Sequence, residues 1–356
     1  TVPELQLGVA KPITLNDGED QIFEVTVPQG ATLRVDLDSA DPLASNVLFL
    51  RYNALPSGAN YDAAYQDALK ADQYAVIPST TAGTYYVLVR GESGRAVTGT
   101  LKARLLPFQI TDVTPDAGGD GRYVTAEIRG AQFDQQAIVK LVRPGFAEME
   151  PVSYKVIDKT RIIAVFDLTD DPHGLYDVVV TNPDGEEARA PYRYLVEQAI
   201  APDVSIALGG PRVLWAGQDG LYGFTLTSRT NVDIPYVNFQ YGIPTTPANP
   251  SGFVPYLRMT TNVTGTPGVD GVPWSSLSPI ASSNGQTLAN GYAVDFANSS
   301  NTTFSFLIET YPDGLPAGAY SEHPGVTAFA FNVMGAATAL TRDEYIAQQT
   351  VYARAL

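Results

Sequence analysis

The sequence has no cysteine, and its 356 residues include only two histidines, two tryptophans and three methionines. Without a thiol there is no disulfide, no thiolate metal site and no cysteine nucleophile. Two histidines leave little material for a zinc centre or a serine–histidine catalyst. Basic residues are scarce too. Lys and Arg number 22 against 38 Asp and Glu, a net charge of −16. That field repels phosphate backbones and anionic lipid, so nucleic acid is not an expected partner. No apolar run approaches the ~18 residues of a spanning helix, so membrane insertion is not expected either. No basic-then-apolar leader is visible. The chain starts at Thr1 rather than Met and reads as a mature or excised fragment.

Helix breakers, by contrast, are plentiful. Gly (31) and Pro (26) together make 57 of 356 residues, about one in six, which argues against an all-helical fold. Hydrophobic residues are 44% and charged residues 17%, enough to bury real cores. At roughly 150 residues per domain, two or three domains are expected.

Period-two patterns dominate. Gln21 to Val27 and Thr32 to Leu37 alternate apolar and polar residues, as half-buried strands do, with Pro28-Gln29-Gly30 supplying the turn between them. Further strands are expected at 46–52, 73–77, 83–90 and 98–105, with 53–72 read as a long polar, Ala- and Tyr-rich loop. From Phe108 onward, strands are expected at 123–129, 138–142, 152–156, 161–167, 174–182 and 190–196, with a Gly-rich turn at 118–121. That count suits an immunoglobulin-sized sandwich.

The composition shifts beyond residue 200. Residues 200–356 hold five Arg and no Lys, and are rich in Asn, Thr, Ser, Gly and Pro. Strands are expected at 204–208, 220–228, 236–241, 256–261, 292–297, 303–311 and 326–333. Basic and acidic residues number 8 and 12 in 1–107, 9 and 16 in 108–199, and 5 and 10 in 200–356, so the acidity is spread over solvated faces. Thr341-Arg342-Asp343-Glu344 is a capping box, which predicts a helix over the last residues. No C-cap follows, so 341–356 reads as a helical tail leading to further domains. The fold class is therefore all-β, tandem β-sandwich domains (immunoglobulin-like or jelly-roll-like) with a short C-terminal helix. The expected boundaries are 1–107, 108–199 and 200–340.

Three segments carry resemblances. Asp20 to Val35 and the block Thr81-Ala82-Gly83-Thr84-Tyr85-Tyr86-Val87-Leu88-Val89-Arg90-Gly91 resemble the bacterial pre-peptidase C-terminal (PPC) domain. The resemblance implies a β-sandwich appended to secreted proteases and other exported proteins. Family members often carry Asp-x-Asp-Leu-Tyr in the middle strand. Here Ser45-Asn46-Val47-Leu48-Phe49-Leu50 stands instead, without the acidic pair. Ile110 to Pro115, Gly130 to Phe133 and Gly174 to Gly185 are similar to an IPT/TIG immunoglobulin-like domain. Such modules are spacers and interaction units in surface proteins. Through Gly217 to Leu226 followed by Thr230-Asn231-Val232-Asp233, residues 203–335 resemble, loosely, the sandwich repeats of large bacterial surface proteins. Together these resemblances imply an extracellular or cell-surface location.

Candidate sites are few. Asp17 and Asp20 in Asn16-Asp17-Gly18-Glu19-Asp20, and Asp116 and Asp120 in Asp116-Ala117-Gly118-Gly119-Asp120, offer oxygens to Ca²⁺, although neither matches a twelve-residue EF-hand loop and Asx-turns explain them equally. His173 follows Asp170 and Asp171, but adjacent residues of an extended stretch point to opposite faces. His323 follows Ser321-Glu322, with no Gly-x-Ser-x-Gly elbow anywhere. No catalytic residue is assigned, and no cofactor beyond Ca²⁺ is suggested. Tyr61 and Tyr65 in the long loop, and Trp274 in Pro273-Trp274-Ser275, are candidate ligand contacts, since such rings stack on sugars and keep a polar tip wet. The expected role is non-enzymatic: a structural or adhesive fragment of a large bacterial multidomain protein. The alternative is an accessory module set that targets a secreted hydrolase to polysaccharide or extracellular protein. Self-association through strand edges is a further candidate.

Overall fold

The computed structural model describes residues 2–215, 217–242, 257–261, 288–310, 328–330 and 333–355. Among the described residues it is all-β apart from one helix at the C-terminal end. The first module comprises β1 (Ala10–Leu15), β2 (Asp20–Val27), β3 (Thr32–Ser39), β4 (Asn46–Tyr52), β5 (Ala63–Ala64), β6 (Gln73–Ile77), β7 (Gly83–Gly91) and β8 (Val97–Leu106). They form two antiparallel sheets, ordered β1-β8-β3-β6 and β2-β7-β4-β5. Alternation decides which side chains meet between them. Val25, Leu33, Val35, Leu48, Leu50, Val87, Val89, Leu101 and Ala103 are all fully enclosed. β1 was not expected from sequence. Its pattern is short and contains Pro12, which an edge strand tolerates because one side of its ladder is unpaired.

The middle stretch comprises β9 (Gln109–Thr114), β10 (Ala117–Gly119), β11 (Tyr123–Ala131), β12 (Ile138–Val142), β13 (Ser153–Asp158), β14 (Arg161–Asp167), β15 (Gly174–Thr181) and β16 (Glu187–Glu197). The sheet orders are β13-β14-β11-β9 and β10-β16-β15-β12. The Gly-rich segment expected as a turn is partly a strand, since β10 runs parallel to Leu195–Glu197 of β16. Small residues serve there because neighbours come close. A Cβ on Gly119 would lie 2.5 Å from Asn231 Oδ1 and 2.7 Å from Ala199 Cα.

The last stretch comprises β17 (Val204–Gly209), β18 (Val213–Trp215), β19 (Asp219–Ser228), β20 (Ile234–Gly242), β21 (Leu257–Thr261), β22 (Leu288–Phe296), β23 (Asn301–Thr310), β24 (Ala328–Ala330), β25 (Met334–Leu340) and α1 (Arg342–Ala355). Its sheets are β17-β19-β23-β21, β22-β20-β25 and the pair β18-β24. Stacked rings fill this core. Phe224 lies 4.4 Å from Tyr241, and Tyr222 lies 5.2 Å from Phe306, centroid to centroid. The capping box forms as the sequence predicts. Glu344 N–H donates to Thr341 Oγ1 (3.3 Å), and Thr341 N–H donates to Glu344 Oε2 (2.8 Å). Tyr345 seats the helix by stacking on Tyr236 at 4.4 Å.

By compactness the chain falls into two units. One comprises Thr1–Asp116, Ala126–Val165 and Leu175–Tyr194. The other comprises Ala117–Thr125, Phe166–Gly174 and Leu195–Leu356. This division runs through the middle stretch rather than at the boundaries read from sequence. Hydrogen bonds explain why. Inside the first unit, Lys159 Nζ donates to Gly30 O (2.8 Å) and Gln132 Nε2 donates to Thr32 Oγ1 (3.0 Å). Phe108, just past Pro107, meets Phe133 edge-on at 6.3 Å. Inside the second unit, Asn231 accepts from Ile200 N–H (2.8 Å) and donates to Glu197 Oε1 (3.0 Å). The buried Asp233 carboxylate accepts from Thr125 N–H (3.0 Å), Thr125 Oγ1–H (2.6 Å) and Asn298 N–H (2.9 Å).

Candidate functional site

β4 positions the first candidate face. Leu48 and Leu50 point into the core of the first module, so Val47 and Phe49 point to the other side of the sheet. There they cluster with Leu88 of β7, and Ala64 and Tyr65 pack against them. The long loop is therefore a cover for this outer face. It is pinned by backbone bonds: Asp62 N–H to Leu50 O (2.8 Å) and Tyr65 N–H to Leu48 O (2.9 Å). The Asp62 carboxylate also accepts from Tyr52 N–H at 2.7 Å.

Two of the expected ligand contacts meet here. Tyr61 and Tyr65 both lie against Phe49, with centroids 5.2 and 5.5 Å away. Tyr65 is half-buried and serves as a wall, while Tyr61 remains 46% exposed. Tyr52 instead follows Leu48 and Leu50 to the core side of the sheet, where it packs on the buried Tyr85 at 5.2 Å and donates its hydroxyl to Ala82 O (3.1 Å). The outer platform of Phe49, Tyr61 and Tyr65 can stack on a sugar face or a peptide plane and can supply a phenol hydrogen bond. Phe49 was missed as a site residue. Its signal was the unbroken run Val47-Leu48-Phe49-Leu50, since a strand apolar on both faces needs cover on both.

Trp274, the remaining expected ligand contact, lies outside the described residues, as does His323. Trp215, at the end of β18, is 60% exposed.

Three of the four expected Ca²⁺ ligands accept a hydrogen bond within the chain, and the fourth, Asp116, lies near an arginine that it shares with Asp112. Asp17 accepts from Gly94 N–H (2.7 Å) and Asp20 from Arg90 Nε (2.6 Å). Asp116 lies 3.8 Å from Arg193, whose other ion-pair partner is Asp112. Asp120 accepts from Ala199 N–H (2.8 Å) and lies 2.7 Å from His173 Nε2. The His173 hydrogen bond, followed by that from Ala199, holds the Asp120 carboxyl below the usual aspartate range. His173 thus faces Asp120, not a pocket formed with its sequence neighbours Asp170 and Asp171. Among the described residues, no three His, Asp or Glu side chains converge as a cation site requires.

Residues 20–91 match the family model of the bacterial pre-peptidase C-terminal domain. No curated protein matches the chain. Among solved structures, the chain is similar to the pre-peptidase C-terminal domain of a collagenase from Bacillus anthracis, at 15% identity, covering 29% of this chain and 94% of that one, with a TM-score of 0.25. It is also similar to the BSP domain of a biofilm-associated protein, at 8% identity, covering 94% of this chain and 64% of that one, TM-score 0.24. A third is a gamma-CGTase from alkalophilic Bacillus clarkii, at 14% identity, covering 63% of this chain and 37% of that one, TM-score 0.22. All three scores lie below 0.5, so the family match alone bears on the first module.

Proposed function

We propose that the chain is a non-enzymatic, extracellular or cell-surface fragment of a large bacterial multidomain protein, and that its role is structural or adhesive. The observation that supports this is the match of residues 20–91 to the bacterial pre-peptidase C-terminal domain, an accessory module of secreted proteins. The middle module is read as an IPT/TIG-like spacer on the resemblance of its strands. Short joints tied by hydrogen bonds suit β-modules that hold a surface at a fixed distance.

A second reading has one observation in its favour: Tyr61, exposed and seated on Phe49. It is that the modules target a secreted hydrolase to polysaccharide or extracellular protein. The experiment is a screen of the purified chain against immobilised polysaccharides and matrix proteins, run with Ca²⁺ and with EDTA. Targeting predicts a specific hit that Tyr61→Ala weakens by about tenfold, the scale of one lost stacking contact. A blank in both buffers leaves the structural reading. Hydrolysis of any tested polymer by the chain alone would overturn both.

A further inference from the structure

A cleft of about 290 Å³ lies inside the first compact unit. Arg34 from β3, Arg129 from β11 and Arg161 from the start of β14 line it, together with Tyr74, Asp158 and Thr160. Two of the three arginines are matched. Arg34 Nε donates to Asp36 at 2.6 Å, and its guanidinium lies 4.0 Å from the Tyr74 ring centroid. Arg129 Nε donates to Glu127 at 2.7 Å. Arg161 has no hydrogen-bond or ion-pair partner among the described residues, and its Nε is buried. Asp158 stands nearby in the same turn, yet its Oδ1 accepts from Thr160 N–H (2.7 Å) and Thr160 Oγ1–H (2.6 Å) instead.

Three cations, Arg34, Arg129 and Arg161, and one carboxylate, Asp158, line the cleft itself. Asp36, Glu127 and Asp112 stand around it, and of the three cations Arg161 alone is without a carboxylate partner among the described residues. A half-buried guanidinium without an acceptor is costly to keep unless something else supplies oxygens.

We propose that this cleft binds the carboxylate of an acidic sugar, a uronic-acid residue of a polysaccharide. A guanidinium fork matches a carboxylate in its plane. With the Thr160 hydroxyl proton committed to Asp158, the Asp158 carboxylate and Thr160 Oγ1, beside Arg161, can accept from hydroxyl groups. A uronate carries both a carboxylate and hydroxyls. A sulfate dianion brings no hydroxyl donors and hydrogen phosphate only one, and either meets Asp158 with about twice the charge of a uronate carboxylate. The volume is at the small end for ligand pockets (~300 Å³) and suits one sugar ring. The acidic remainder of the chain opposes a long, dense polyanion, although charges beyond about 8 Å are screened at physiological salt. Tyr61 and Tyr65 do not line this cleft, so the proposal does not depend on the aromatic platform.

Trigalacturonate is titrated calorimetrically into the full chain, beside its methyl ester, triglutamate and inorganic phosphate. The expected result is binding of trigalacturonate, with the ester and both other anions at least about tenfold weaker. Arg161→Gln is expected to weaken trigalacturonate by a similar factor at an unchanged unfolding midpoint. If that midpoint falls, Arg129→Gln, whose side chain is 48% exposed, is measured in its place; the ester comparison needs no variant. Absent binding, equal binding of the ester, or triglutamate or phosphate bound as tightly would overturn the proposal. So would an unchanged affinity in the variants. None of these outcomes alters what Tyr61→Ala reads.

Discussion

Asp233 shows how much a single carboxylate can organise. Burial pushes its pKa up, and the hydrogen bonds from Thr125 and Asn298 oppose that shift without cancelling it. The folded state therefore holds the Asp233 proton more tightly than the unfolded chain does. Its contribution to stability is fully present below the ordinary aspartate range and is lost as pH rises through the raised value. Asp233→Asn keeps an acceptor for the amides and removes the charge. It is expected to flatten the pH dependence of unfolding of the second compact unit across that window, as read by fluorescence-monitored urea titrations at several pH values. Asp233→Ala strands the buried donors and is expected to cost ~2–4 kcal/mol at neutral pH. Equal pH slopes for Asp233→Asn and the parent chain would remove this account.

Among the elements, those with a strict local period were the most legible in the sequence. β2 and β3 alternate cleanly because one face of each is buried, and α1 announces itself through Thr341 and Glu344. β10 was hidden because Ala117-Gly118-Gly119 carries turn residues, and the close approach of Asn231 that requires them is a long-range fact. The sites follow the same rule. Tyr61 and Tyr65 stood out as loop aromatics, but their seat on Phe49 depends on which face β4 turns outward. Arg34, Arg129 and Arg161 are far apart in sequence and offered no local pattern. The cap makes a prediction at this scale. Glu344 is held below the usual glutamate range by the Thr341 amide and hydroxyl, so its support for the helix is present at neutral pH and is lost as pH falls through that lowered value. Thr341→Ala removes the hydroxyl from the cap. Amide exchange in the first turn of α1 is expected to quicken about fivefold, the usual worth of an N-cap. Unchanged exchange would mean that Tyr345 on Tyr236 holds the helix without its cap.

At the scale of the whole molecule, two compact units predict that unfolding is not a single two-state step. Calorimetry is expected to resolve two transitions. Leu50→Ala, in the enclosed core of the first module, should lower one of them by the 2–5 kcal/mol typical of such truncations and leave the other in place. One transition shifted as a whole by Leu50→Ala would show the units to be a single cooperative body.

The bonds around Leu106-Pro107 carry a further consequence. A junction between two β-modules is where a protease is expected to cut first, because backbone there is usually free to enter an active-site cleft. Here Lys159 and Gln132 reach across to Gly30 and Thr32, and Phe108 is held against Phe133. Limited digestion should therefore spare residues 105–109, and the first module should not be released intact. The better place to divide this chain for expression is not the boundary that its sequence advertises.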